Sequence, residues 1–179
     1  MEPSGTGTPF LMYRADARVE YRSTGNDFKY YDMQPAPFTI ECIYSVPVEK
    51  VWKAITDKAQ MKEWYFDISE FKPEAGFGFQ FTGQGHDGDK YIHLCRITHA
   101  EPHKKLRYSW SYQGMDGISY VTFELFPEGE SSTRLRLTHE GIESFQQTGN
   151  RDFAPESFAG GWTYITGTAL KGFLEKTTS

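Results

Sequence analysis

A chain of 179 residues is long enough for one domain with a substantial core, hiding roughly 70% of the surface that its unfolded form would expose. With 24 acidic against 19 basic residues its net charge is -5, which repels phosphate backbones and argues against nucleic acid as a partner. No stretch approaches the ~18 apolar residues of a membrane span, the start lacks the basic and apolar regions of a signal peptide, and Cys42 and Cys95 stand apart without disulfide or metal-ligand spacing, so a reduced, cytoplasmic protein is expected.

Residues 1–37 read as an N-terminal extension. Its first ten or so residues, rich in Gly, Pro, Ser and Thr, are expected to be mobile. Val19-Glu20-Tyr21 and Phe28-Lys29-Tyr30 alternate on either side of Thr24-Gly25-Asn26-Asp27, which predicts a β-hairpin over residues 19–31. The main domain, residues 38–179, opens with Phe38 to Ser45, where Ile40, Cys42 and Tyr44 alternate with their neighbours as in a strand. After Pro47, Val48, Val51, Trp52 and Ile55 follow helical spacing, and Asp57 with Gln60 has the form of a capping box that opens a second short helix through Met61 and Trp64.

From Ile68 to His139 the period is two. Phe77/Phe79/Phe81, Leu106/Tyr108/Trp110/Tyr112, Val121/Phe123/Leu125 and Leu135/Leu137 alternate with polar residues or glycine, and short turn-like segments join them. Antiparallel strands buried on one face are expected, about seven with the first. A polar loop then runs from Gly141 to Asp152, and Pro155 introduces a long terminal helix. At a regular pitch Phe158, Gly161, Trp162, Ile165, Thr168, Ala169, Gly172 and Phe173 fall within roughly 140° of one another. Large and tiny residues thus share one face, and each interior glycine costs the helix about 1 kcal/mol relative to Ala. Either the sheet comes very close to this face or a hollow lies beneath it.

Taken together, Pro47 to Asp57 with Trp64 after it, Glu101-Pro102 ahead of Leu106, Thr133 to His139, and Gly161-Trp162 followed by Leu170 resemble the START-like (SRPBCC) helix-grip superfamily. Within it, the chain is similar to proteins related to the C-terminal domain of the Hsp90 ATPase activator, over Phe38 to the C-terminus. The resemblance implies an α+β, Bet v 1-like fold: a curved antiparallel sheet wrapped around the terminal helix, two short helices after the first strand, and a cavity between sheet and helix that binds an apolar molecule in many relatives. Two departures stand out. Glu74-Ala75-Gly76-Phe77-Gly78 replaces the paired glycines common before the third strand, and residues 1–37 hold no counterpart of the activator's separate chaperone-contacting domain.

Motif by motif, bland readings prevail. Gly83-Gln84-Gly85-His86-Asp87-Gly88 matches the dinucleotide fingerprint by letters, but a β-like segment follows where a helix is required, so it reads as a hairpin loop. Asp87-Gly88-Asp89 lacks the later ligands of a calcium loop. His86, His93, His99, His103 and His139 show no metal spacing, and neither a nucleophile elbow nor an activated cysteine is present. Tyr108, Tyr112 and Tyr120 are candidate proton donors, without a carboxylate pair near them in sequence. The expectation is therefore noncovalent binding of an apolar or amphipathic small molecule, lined by Phe79, Phe81, Tyr108, Trp110, Tyr112, Phe123, Trp162, Ile165, Ala169 and Phe173, with no cofactor, no metal and no catalytic residue. The alternatives are a chaperone-associated or stress-response module acting through its surface, and a cavity enzyme of cyclase or hydratase type.

Overall fold

The computed structural model describes residues 35–176 and, before them, the backbone of three strands. The chain divides into two compact units, residues 1–36 and 37–179. In the first, β1 (Met12–Tyr13), β2 (Arg18–Arg22) and β3 (Phe28–Asp32) form an antiparallel sheet in the order β1-β2-β3, with Glu20 opposite Tyr30. The mobile start and the tight turn at Thr24–Asp27 expected from the sequence lie outside the described residues.

The second unit is built on six antiparallel strands: β4 (Phe38–Tyr44), β5 (Gly78–Gln84), β6 (Lys90–Glu101), β7 (Lys105–Tyr112), β8 (Ser119–Pro127) and β9 (Thr133–Glu140). Their order is β4-β9-β8-β7-β6-β5, a meander closed on one side by the first strand. Alternation carries the fold: β5, β7 and β9 each bury every second residue, and the inward faces supply Phe79, Phe81, Tyr108, Trp110, Leu135 and Leu137 to the core. A register shift between Ile97 and His99 puts a bulge in β6, which bends the sheet.

The strand count is six where the sequence predicted about seven. Residues 66–77 carry Ile68 and Phe71 into the core at a three-residue spacing, so they cannot share one face of a strand. Pro73 also offers no ladder N–H. Regular pairing begins only where Gly76 N–H and Phe77 O bond Ile97.

Two helices follow β4. In α1 (Val48–Thr56), Val51, Trp52, Ala54 and Ile55 are buried; in α2 (Lys58–Trp64), Met61 and Trp64 are. Asp57 caps α2 by accepting from Gln60 N–H at 3.0 Å. Its own N–H closes α1 onto Lys53 O, which leaves nothing for the reciprocal half of a capping box.

Short 3₁₀ turns at Ile142–Thr148 and Arg151–Phe153 occupy most of the expected polar loop and bury Ile142, Phe145 and Phe153. The terminal helix then runs as α3 (Pro155–Tyr164), a π-helical stretch (Ile165–Leu170) and α4 (Lys171–Lys176). Its buried residues are Phe158, Trp162, Thr166, Leu170 and Leu174, each four positions after the last. In a regular α-helix each four-residue step overshoots a turn by about 40°, so the five would spread over about 160°. The wider π turn takes out part of that drift and keeps the stripe against the sheet. This corrects the even-pitch face: Gly161 and Thr168 are exposed, and Ile165, Ala169, Gly172 and Phe173 are half-buried. From β4, Tyr44 donates its hydroxyl to Thr166 O at 2.9 Å and Cys42 Sγ lies 3.5 Å from Thr166 Oγ1, so the irregular turn is braced by the first strand.

Candidate functional site

The glycines of the terminal helix separate the two explanations left open above. A Cβ built on Gly160, Gly161, Gly167 or Gly172 would meet nothing within 4 Å, so no close approach of the sheet requires them. One of the four, Gly161, opens onto a cavity of about 210 Å³ between α3 and the β5–β7 end of the sheet. Aromatic rings form its body: Phe66 after α2, Tyr91 from β6, Trp110 and Tyr112 from β7, and Phe158 and Trp162 from α3. Glycine recurs on the opposite wall. A Cβ on Gly83 would come within 2.5 Å of His93 Cε1, so the bare backbone of β5 is what lets the His93 ring edge lie there.

Polar groups are few and specific. His93 is buried and lies parallel to Phe81, with ring centroids 4.3 Å apart. Burial pulls its pKa down to about 4, against the opposing pull of the Tyr91 and Phe81 carbonyls, so the ring is neutral at pH 7. Its Nδ1–H donates to Tyr91 O at 3.1 Å, which leaves Nε2 as an acceptor. The Trp110 Nε1–H is buried without a hydrogen-bond partner among the described residues. Burial raises the Tyr112 pKa, and the Trp110 N–H, nearby but out of hydrogen-bond geometry, works in the other direction.

At the mouth, the β5–β6 hairpin meets the Arg151–Phe153 turn. Asp152 Oδ1 accepts from His86 N–H at 3.0 Å and lies 2.5 Å from His86 Nδ1, while Oδ2 accepts from the Tyr91 hydroxyl at 2.9 Å. Asn150 Nδ2 donates to the same hydroxyl at 2.9 Å, and its Oδ1 accepts Asp152 N–H. These donors, the His86 backbone N–H first and the His86 ring next, hold the Asp152 carboxyl at about 2. Burial and Asp152 together raise the Tyr91 pKa. Gly85 is part of the construction, because a Cβ there would collide with the Asp152 carboxylate and come within 2.8 Å of the Tyr91 ring. Asp87, from the calcium-like triplet, instead pairs with Arg151 at 2.7 Å. No cluster of three metal-ligating side chains exists among the described residues.

Behind the cavity lies a buried chain. Trp162 Nε1–H donates to His139 Nδ1 at 2.9 Å, so the proton of this neutral ring sits on Nε2, facing Ser119 Oγ at 2.8 Å. Burial lowers the His139 pKa to about 3.

The sequence-predicted lining residues divide between two places. Trp110, Tyr112, Trp162 and Ile165 line the cavity. Phe79, Phe81, Tyr108 and Phe123 sit in the packed core; Phe79 stands edge-on to Tyr108 at 5.2 Å, and the Tyr108 hydroxyl meets that of Tyr65 at 3.3 Å. Ala169 and Phe173 pack on that core from the helix, away from the cavity. Trp110 and Trp162 touch, centroids 5.6 Å apart, so the space lies beside the pair. Tyr120 faces outward beneath Arg107, 4.2 Å from the ring. Sequence reasoning missed His86, Tyr91, Asp152 and Phe66. The one available signal was Gly83-Gln84-Gly85-His86, a hairpin with more glycine than a turn needs.

A curved sheet gripping a terminal helix over an aromatic hollow defines a helix-grip domain. The profile of the family described as "Activator of Hsp90 ATPase homolog 1-like protein" matches residues 45–175, and the chain belongs to that family. No curated protein matches it. Among solved structures, a Mesorhizobium loti protein is 28% identical with a TM-score of 0.62, covering 79% of this chain and 98% of its own. A Chromobacterium violaceum protein is 20% identical with a TM-score of 0.65, covering 79% and 99%. An Hsp90 activator from Plasmodium falciparum is 24% identical with a TM-score of 0.62, covering 78% and 96%. No helix among the described residues is long and apolar enough to cross a membrane.

Proposed function

We propose that this chain binds a small apolar or amphipathic molecule noncovalently, between α3 and the sheet. The observation that supports this best is the cavity at Gly161, aromatic in its body and glycine-walled at its mouth. Size narrows the ligand. Drug-sized pockets run from about 300 to 1,000 Å³ and a hole of about 150 Å³ holds benzene, so about 210 Å³ suits one or two rings and is too small for a lipid or steroid. Burial would supply the affinity, at about 0.8 kcal/mol per CH₂.

The test is thermal stabilisation by 2-naphthol. Ligand at a hundredfold excess over Kd stabilises by about 2.7 kcal/mol. Gly161→Leu, at an exposed helix position with free space beside it, should keep the fold and abolish the shift. A shift of the same size in wild type and Gly161→Leu removes this reading.

Family membership favours a second reading, a module that stimulates an Hsp90-type ATPase through its surface. Stoichiometric addition to Hsp90 with ATP turnover as the readout decides it, and an unchanged rate rejects it.

A further inference from the structure

We propose that His86 and Asp152 form an acid–base pair at the mouth of the cavity, with His86 as the catalytic base toward a one- or two-ring aromatic compound that carries an acidic C–H or O–H proton; this rests on the cavity being a binding site. A catalytic imidazole needs one nitrogen anchored by an orienting acceptor and the other free toward the substrate. His86 has the anchored nitrogen and leaves the other open at the cavity mouth. Its Nδ1 lies against Asp152 Oδ1 at 2.5 Å, which places the Nδ1 proton between them and the lone pair on Nε2, and Nε2 has no partner among the described residues. Both residues line the cavity, and the His86 side chain is 54% exposed at its mouth.

The orienting carboxylate is itself held from every side. The Asp152 side chain is 10% exposed and takes the His86 backbone N–H, the His86 ring and the Tyr91 hydroxyl, and Tyr91 is fixed in turn by Asn150. A loop latch alone would not require this. The hairpin is already tied to the turn by the Asp87–Arg151 pair and by the His86 backbone bond, yet Gly85 also gives up its side chain to admit the carboxylate. The titratable and charged groups around His86 are Asp152 and Arg151 on the turn, Asp87 and Asp89 on its own hairpin, and Tyr91 and His93 on β6.

The test uses 5-nitrobenzisoxazole, a two-ring compound matched to the cavity, whose ring opening reports a general base without a co-reactant. His86 Nε2 takes the proton from C3, the C–H electron pair forms the nitrile, the N–O bond breaks, and the pair on oxygen leaves as a yellow phenolate; the imidazolium returns its proton to water. Wild type should show saturable turnover that Gly161→Leu blocks. His86→Gln, which keeps a donor toward Asp152 but has no base, should lose about 100-fold in kcat. His86→Ala should fall equally and recover on addition of free imidazole. As a positioning residue, Asp152 should act on kcat alone: Asp152→Asn lowers it at unchanged KM, and Asp152→Glu restores part. Equal rates in wild type and His86→Gln, with 2-naphthol still bound, overturn the acid–base pair and leave the cavity reading standing. If neither compound binds, both readings are overturned.

Discussion

The two ends of the terminal helix meet the same sheet and do opposite things. Toward the C-terminus, Thr166, Leu170 and Leu174 are buried in the core. Toward the N-terminus, Phe158 and Trp162 are buried, but Gly161 stands between them and the sheet recedes into glycine at Gly83 and Gly85. One end is built for density and the other for vacancy. The rings around the hollow brace each other: Trp162 on Trp110, Tyr112 on Phe153, and His93 on Phe81. The contrast shows that a helix rich in glycine is not hollow along its whole length. At Gly161 the space coincides with bare backbone on the opposite wall, at Gly83 and Gly85.

The largest effect expected from this contrast lies at the solid end. Leu170 is wholly buried, so Leu170→Ala leaves a cavity that the π turn, braced by Tyr44, has little freedom to collapse, and it should cost about 3 kcal/mol, within the usual range for such truncations. Urea midpoints measure it. A loss below about 1 kcal/mol would mean that this end is no better packed than the other.

How far these two ends could be read from residues alone depends on period. Strand alternation, the α1 stripe, the Asp57 cap and Pro155 at the helix start act over a few neighbours, and each holds in the structure. The sequence places Gly161 with Gly172 among the small residues of the helix face, and the structure leaves open space beside both. The π turn was not legible, because a fixed 100° step cannot reveal a change of pitch, and so Thr166, Leu170 and Leu174 replace Thr168, Ala169 and Phe173 on the buried stripe. His86 and Asp152 are 66 residues apart and belong to two segments that each read as ordinary polar loop. Only the packing of the β5–β6 hairpin on the Arg151–Phe153 turn brings them together.

The second effect is electrostatic and belongs to the boundary between the ends, where His139 hangs between Trp162 and Ser119. Burial holds its pKa near 3, against the ordinary 6.5, and that of His93 near 4. The unfolded chain therefore binds protons on these rings below about pH 6.5 while the folded chain does not, so their contribution is complete above that pH and is lost progressively as pH falls toward 4. One such ring accounts for about 2 kcal/mol at pH 5. His139→Gln will lower stability at every pH, so the slope is the quantity to read. Between pH 6.5 and 4 the variant should lose close to one proton from the pH dependence of its unfolding free energy. An unchanged slope would mean that the buried ring does not titrate with unfolding.

The smallest effect is also the one with opposite sign, and it probes the hollow end most directly. A glycine in a helix interior costs up to about 1 kcal/mol relative to alanine, and a new methyl group is harmless only where space awaits it. Gly161 and Gly160 both meet that condition, since a Cβ on either would touch nothing within 4 Å. Gly161 lines the cavity, whereas Gly160 is exposed and lies outside it. Both alanine variants should gain up to about 1 kcal/mol in urea unfolding, because helix propensity acts on them alike. They should part in 2-naphthol binding, where Gly160→Ala keeps the wild-type affinity and Gly161→Ala weakens it by taking up part of a space only one or two rings wide. If both bind as wild type does, the ligand does not reach α3 at this turn; if Gly161→Ala loses stability, the backbone there is closer to the sheet than an empty cavity allows.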